Sequence, residues 1–195
     1  MALSVVTGPT QEPVTLAEAK LHARDDTDDD DQLIMALITT AREWIEGQTK
    51  RALVTQTWDW DIDWGWPYMQ NGVPTLDFPI NPVSSVTSIT YDDGSSPRAT
   101  LSASDYTAVT RTHGSYIVPA YSVTWPTLRC VPNAITVRFV AGQAIDEVPK
   151  QLTQALKMLV THMYERRDLA MEKQLIEIPY AVEALISPYR GGVYG

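Results

Sequence analysis

Six of the seven residues from Asp25 to Asp31 are aspartates, the densest set of metal-competent side chains in the sequence. Asp26, Asp28 and Asp30 alternate as the first ligands of a calcium loop do. The loop chemistry then fails, because a loop opened by Asp26 puts Asp31 where the tight turn needs Gly and Leu37 where a bidentate Glu must close the site. The run reads instead as a solvated acidic turn whose carboxylates face the positive end of the helix that follows. In an oligomer, Asp28, Asp29, Asp30 and Asp31 would face a channel or a basic partner.

A second group is Trp58, Trp60, Trp64 and Trp66, whose rings have the chemistry to stack on bases or sugars. No basic residues interleave them, which disfavours nucleic acid. Trp58 and Trp60 share the apolar face of a strand and read as core, whereas Trp64 and Trp66, beside Gly65 and Pro67, read as a loop that makes a subunit contact. Signs of nucleophilic catalysis are weak. No serine sits in a Gly-x-Ser-x-Gly turn, and there is no glycine-rich phosphate loop. Cys130 reads as a small buried residue, His162 as a polar group at a helix edge near Glu165 and Arg166, and no carboxylate pair stands out for acid–base work. His22, His113, Cys130 and His162 match no zinc-ligand spacing. No catalytic residue, metal or cofactor is expected.

Composition sets the frame for these groups. With 195 residues, 44% of them hydrophobic, the chain has enough apolar surface for a real core, and its single cysteine cannot form an internal disulfide. The formal net charge is −9 with only fifteen Lys and Arg, so most of the surface should repel DNA. Met1 to Pro13 has no basic segment followed by an apolar run, and no stretch approaches the length needed to cross a bilayer. The expectation is a chain made in the cytoplasm, with no membrane partner.

The elements that carry these residues change period twice. Thr15 and Glu18 form a capping box that starts a helix at about 15–24. From about 29 to 50, Leu33, Ile34, Leu37, Ile38, Ala41, Trp44, Ile45 and Gln48 recur at helical steps, with Arg42, Glu43 and Glu46 between them. The period then falls to two, with Val54, Gln56, Trp58, Trp60 and Ile62 alternating against Thr55, Thr57, Asp59, Asp61 and Asp63. Turn signals and β-branched runs place further strands near 75–80, 84–91, 105–111, 115–119 and 133–141. Helical spacing returns with Val148, Leu152, Ala155, Leu156, Leu159, Val160 and Met163, predicting a helix over about 148–166. A polar joint from Arg167 to Lys173 precedes a last helix from Pro179 to Ile186, stopped by Pro188 ahead of a glycine-rich, flexible end. The fold class expected is α+β: a helical core from the terminal helices of residues 1–51 and 146–195, with an antiparallel β domain, sandwich or barrel, inserted at 52–145.

The segments EPVTLAEAKLHAR, TKRALVTQTWDW, VPKQLTQALKMLVTHMYERRD and IPYAVEALISPYR, taken together and in this order, resemble the head-tail connector (adaptor) proteins of tailed phages and related gene-transfer particles. The resemblance spans the chain, is most specific at its two ends, and matches the β-rich middle only in general character. It implies a structural virion protein, made in the host cytoplasm, that forms a dodecameric homo-oligomer ring at the head-tail interface. Such a ring docks on the portal protein, meets a tail-side connector or stopper protein, and lets DNA pass through its channel without specific binding. The C-terminal segment of such proteins is implicated in gripping the portal, which here corresponds to Ser187, Pro188, Tyr189 and Arg190. Their residue types suit a tail that orders on binding. The alternatives are a minor tail or tail-completion protein, a carbohydrate-binding module using the loop tryptophans, and, more remotely, a hydrolase.

Overall fold

The capping box forms as the sequence requires. In a computed structural model that describes residues 1–63, 69–70, 73–166 and 178–190, with 69, 70, 73 and 74 described by backbone alone, the Thr15 side chain accepts from the Glu18 amide and Glu18 accepts from the Thr15 amide. The helix so started, α1, spans Leu16–Ala23 and ends at Arg24 in the left-handed conformation, φ 58°. Helix α2 spans Asp31–Thr49 and ends in the same way at Lys50, φ 53°. Helix α3 spans Lys150–Glu165, preceded by a 3-10 turn at Ile145–Glu147, and α4 spans Tyr180–Ile186, followed by a 3-10 turn at Ser187–Tyr189.

Residues 11–54 and 144–195 make one unit of the chain. Its core joins Val14, Ala19 of α1, Ile34, Ile38, Ala41 and Ile45 of α2, Leu53, five residues of α3 from Leu152 to Val160, and Val182 and Ile186 of α4. The matching apolar faces of α2 and α3 therefore meet, which is what their helical spacing demanded, since neither face is stable in water alone. Leu33 and Leu37 lie at the margin of that face: Leu33 is exposed and Leu37 half-buried. Arg42, which its spacing set among exposed charges, is instead only 5% exposed.

The other unit comprises residues 1–10 and 55–143. Its larger sheet has the order β1 (Ala2–Thr7), β2 (Gln56–Ile62), β10 (Ile135–Ala141), β6 (Val83–Tyr91), β7 (Ala99–Thr100), every neighbouring pair antiparallel. Among the described residues the sheet ends in β1 on one side and β7 on the other, without closing into a barrel. A smaller antiparallel sheet has the order β5 (Leu76–Asp77), β9 (Tyr116–Pro119), β8 (Tyr106–Val109), and β3 (Met69–Gln70) pairs with β4 (Val73–Pro74). Phe78, just after β5, ties the small sheet to the large one, its ring 6.0 Å from Trp60 of β2 and 4.9 Å from Phe139 of β10. Ile135, Val137, Phe139 and Ala141 alternate inward along β10, the period-two burial of a strand with one core face.

The N-terminal residues depart from expectation. Residues 1–10 belong with the sheet through β1, whereas the sequence grouped them with the helices. Every residue of β1 is exposed, so its burial has no alternation to betray it. The chain crosses between units after residues 10, 54 and 143.

Candidate functional site

The acidic turn between α1 and α2 is largely occupied with holding its own unit together. Lys20 Nζ lies 2.8 Å from Asp28 Oδ1 and 2.6 Å from Asp31 Oδ1, bridging the end of α1 to the start of α2. The two carboxylates raise the Lys20 pKa, and the ammonium lowers that of Asp28. Asp30 Oδ2 accepts from the Tyr164 hydroxyl at 2.7 Å, fastening the turn to α3. Asp25 Oδ1 accepts from the Thr27 amide and hydroxyl, an Asx turn that breaks the helix. Of the four aspartates expected to face a channel or partner, Asp28 and Asp29 are exposed, with the Asp28 side chain 91% accessible, while Asp30 and Asp31 are half-buried.

A polar seam runs from α1 to α3. Lys157 Nζ meets Glu18 Oε1 at 3.2 Å, and His22 Nδ1 lies 2.8 Å from Thr161 Oγ1 with its Nε2 3.3 Å from Gln154 Nε2. The Thr15 amide and Lys157 together lower the Glu18 pKa. The sequence weighed His22 only as a zinc ligand; its place in this seam follows from a helix packing that spacing alone does not fix.

Arg42 is the most consequential residue that the sequence misplaced. Its Nε donates to Glu12 Oε2 at 2.8 Å and its Nη1 donates to Glu46 Oε2 at 2.7 Å. Burial opposes the charge of Arg42, but Glu46 and Glu12 outweigh it and its pKa is raised. Glu46 Oε1 also accepts from the Leu53 amide at 2.8 Å, so one cluster pins the segment before α1 and the segment after α2 to the middle of α2.

The C-terminal turn is more ordered than its composition implied. Tyr189 packs against the helical core, with the Arg51 guanidinium 5.9 Å above its ring. Burial of Arg51 lowers its pKa, while Tyr189 acts to raise it. Arg190 pairs with Glu183 and donates to Gln48 Oε1 at 3.2 Å, and the Ser187 hydroxyl donates to the Ala184 carbonyl at 3.1 Å. Ser187, Pro188 and Arg190 are exposed and Tyr189 is half-buried. These contacts tie the four residues to the helical unit as a platform; Gly191 to Gly195, the end expected to be flexible, lie outside the described residues.

The remaining groups fall as follows. Trp60 is 5% exposed and Trp58 half-buried, both in β2. Trp64, Trp66 and the joint from Arg167 to Lys173 lie outside the described residues. Cys130 is exposed in the irregular segment before β10, not buried as its small size suggested. On the outer face of the large sheet, Arg138 forks onto both Asp59 oxygens at 2.7 Å and Thr136 donates to Asp61 at 2.6 Å. Among the described residues no helix is long and apolar enough to cross a membrane.

This architecture, a helical unit and an antiparallel β unit interleaved along one α+β chain, has known counterparts. Residues 13–96 match the family described as phage gp6-like head-tail connector protein, in agreement with the resemblance carried by the sequence motifs. The fold is similar to a chain from the neck of an empty gene transfer agent (GTA) particle computed with C6 symmetry, at TM-score 0.77 and 24% identity, covering 98% of this chain and 96% of that one. A chain of a native gene transfer agent virion matches with the same TM-score and coverage at 22% identity. A chain from the neck of a native GTA particle computed with C12 symmetry matches at TM-score 0.72 and 21% identity, again over 98% and 96%. No curated protein matches the chain.

Proposed function

We propose that this chain is a structural, non-enzymatic subunit of a ring at the head-tail junction of a tailed-phage or gene-transfer particle. The observation that carries the reading is the near-complete overlap, end to end, with chains from particle necks, together with the family match over residues 13–96. A dodecamer below the portal, with a tail-side connector or stopper protein beneath it, is the arrangement that the connector resemblance supplies. Net charge supports the same role. A ring of chains at −9 each presents a largely acidic lumen, and Asp28 and Asp29 are suited to line it so that DNA slides without sticking.

The portal contact is assigned to the platform of Ser187, Pro188, Tyr189 and Arg190 and the residues after it. Tyr189, packed on its own core, sets what the exposed Pro188 and Arg190 on either side of it present.

Co-purification with the cognate portal, followed by electron microscopy of the complex, tests the role directly. A ring of this chain seated on the portal is expected; a monomer that ignores the portal and binds sugar would favour the carbohydrate module instead. The purified protein should also leave duplex DNA unbound at physiological salt, and tight binding would contradict the acidic lumen.

A further inference from the structure

The large sheet ends in two open edges on the same chain. On one side, no strand flanks β1 among the described residues, leaving Ala2–Thr7 as a six-residue edge. On the other, β7 pairs β6 only at Thr90 and Tyr91, and the next bond outward is from the Leu101 amide to the Ile89 carbonyl, so among the described residues β6 is open on that side from Val83 to Ser88. The open lengths match. Neither edge carries a charged residue, although 20% of the chain is charged, and neither has a proline within it. Soluble proteins guard exposed edges with Lys, Pro or a cover, because an open edge templates pairing with another chain. Among the described residues the guards are irregularities of the backbone alone: a bulge between Val5 and Thr7 on β1, and register shifts against β10 that leave Ser84 and Thr87 of β6 without a partner there.

We infer that β1 of one copy pairs with β6 of the next, head to tail, so that the large sheets of neighbouring copies join. A second copy is the fitting occupant for three reasons. Copies at −9 each repel wherever charged surfaces meet, and the two uncharged edges are where they approach without that cost. Strand direction also agrees: three antiparallel steps separate β1 from β6, so a neighbour continuing the sheet presents β6 antiparallel to β1, the better-bonded sense. Finally, the side chains are complementary. Leu3 and Val5 stand opposite Trp60 and Trp58 yet are 37% and 49% exposed, and Leu3 borders a cavity of about 350 Å3 with Met1, Trp60 and Pro79. Val86, opposite Phe139 on the same face, is only half-buried. Pairing extends this apolar row across the joint. Because the two edges differ, the contact is heterologous and closes into a ring when the rotation allows.

The choice of a second copy as occupant rests on the ring reading above, and the test separates the two. In a Cys130→Ser background, rings assembled on the cognate portal from a mixture of Val5→Cys copies and copies carrying Cys substitutions scanned through Ser84, Ser85, Val86 and Thr87 should give a disulfide-linked pair. Either variant alone should give none. Separately, Thr87→Lys, at an exposed position, should leave the melting temperature unchanged and weaken ring assembly about tenfold or more. Val5→Cys copies that link to each other would overturn the head-to-tail contact. Rings that form with no mixed link at any position, and that tolerate Thr87→Lys, would overturn the edge contact while leaving the ring reading intact. Failure of the wild-type protein to form rings with the portal or in particles would overturn both.

Discussion

Arg42 shows what helical spacing reads well and what it misses. Spacing found the apolar face of α2 because Ile34, Ile38, Ala41 and Ile45 repeat, but a charged residue beside that face has no sequence mark of burial. Its partner Glu12 lies thirty residues away. Removing the guanidinium leaves the Glu46 carboxylate, 12% exposed, without its counter-ion, so Arg42→Ala should cost about 3 kcal/mol in urea unfolding. Glu12→Gln, where the lost charge is 29% exposed, should cost about 1 kcal/mol or less. Equal effects would mean that Glu12 carries the cluster. Carboxylates also set the acid response. Glu18, Asp28 and Asp63 all have lowered pKa values, through the Thr15 amide and Lys157, through Lys20, and through the Met1 ammonium and Asn133 amide respectively. A depressed carboxylate contributes stability that is complete above its unfolded pKa, about 4, and is lost as pH falls through the folded value. Melting temperature should therefore hold from pH 7 to about 5 and fall below about 4, less steeply in Glu18→Gln. A protein that melts identically at pH 7 and pH 3 would contradict this.

At the scale of elements, the helices were legible and the end of the last one was not. Pro188 does mark the stop of α4, as read from sequence, but the following residues turn back in a 3-10 step that seats Tyr189 under Arg51. Two residues 138 positions apart cannot announce such a contact to each other in a single sequence. A deletion from Ser187 onward therefore confounds docking with folding. It should lower stability by about 2 kcal/mol through the lost ring packing and cation–π contact. Ending the chain after Arg190 should leave the circular dichroism melt unchanged and still weaken pull-down by the portal. Full portal binding by that shorter chain, together with full binding by Pro188→Ala and Arg190→Ala, would place the docking surface elsewhere. Among the strands, β2 and β10 were legible because each has a buried face, whereas β1, β3, β4 and β7, short or unburied, left no period to find.

For the whole molecule, both fold units were visible as changes of period near residues 52 and 145, close to the crossings after 54 and 143. The third crossing, after residue 10, was hidden with β1, and it changes what kind of object the β unit is. The fragment 55–143 is not a self-sufficient module: it lacks the strand whose backbone satisfies the free side of β2 from Thr57 to Asp61. Expressed alone, that fragment should aggregate through the bared edge carrying Trp58 and Trp60. A synthetic peptide of Met1 to Thr10 supplied in trans should rescue it as a soluble noncovalent complex, detectable by gel filtration and by a blue shift of tryptophan fluorescence. The sheet would then be a split protein whose smaller half can be withheld or returned, giving a chemical handle on assembly that needs no change to the helical unit.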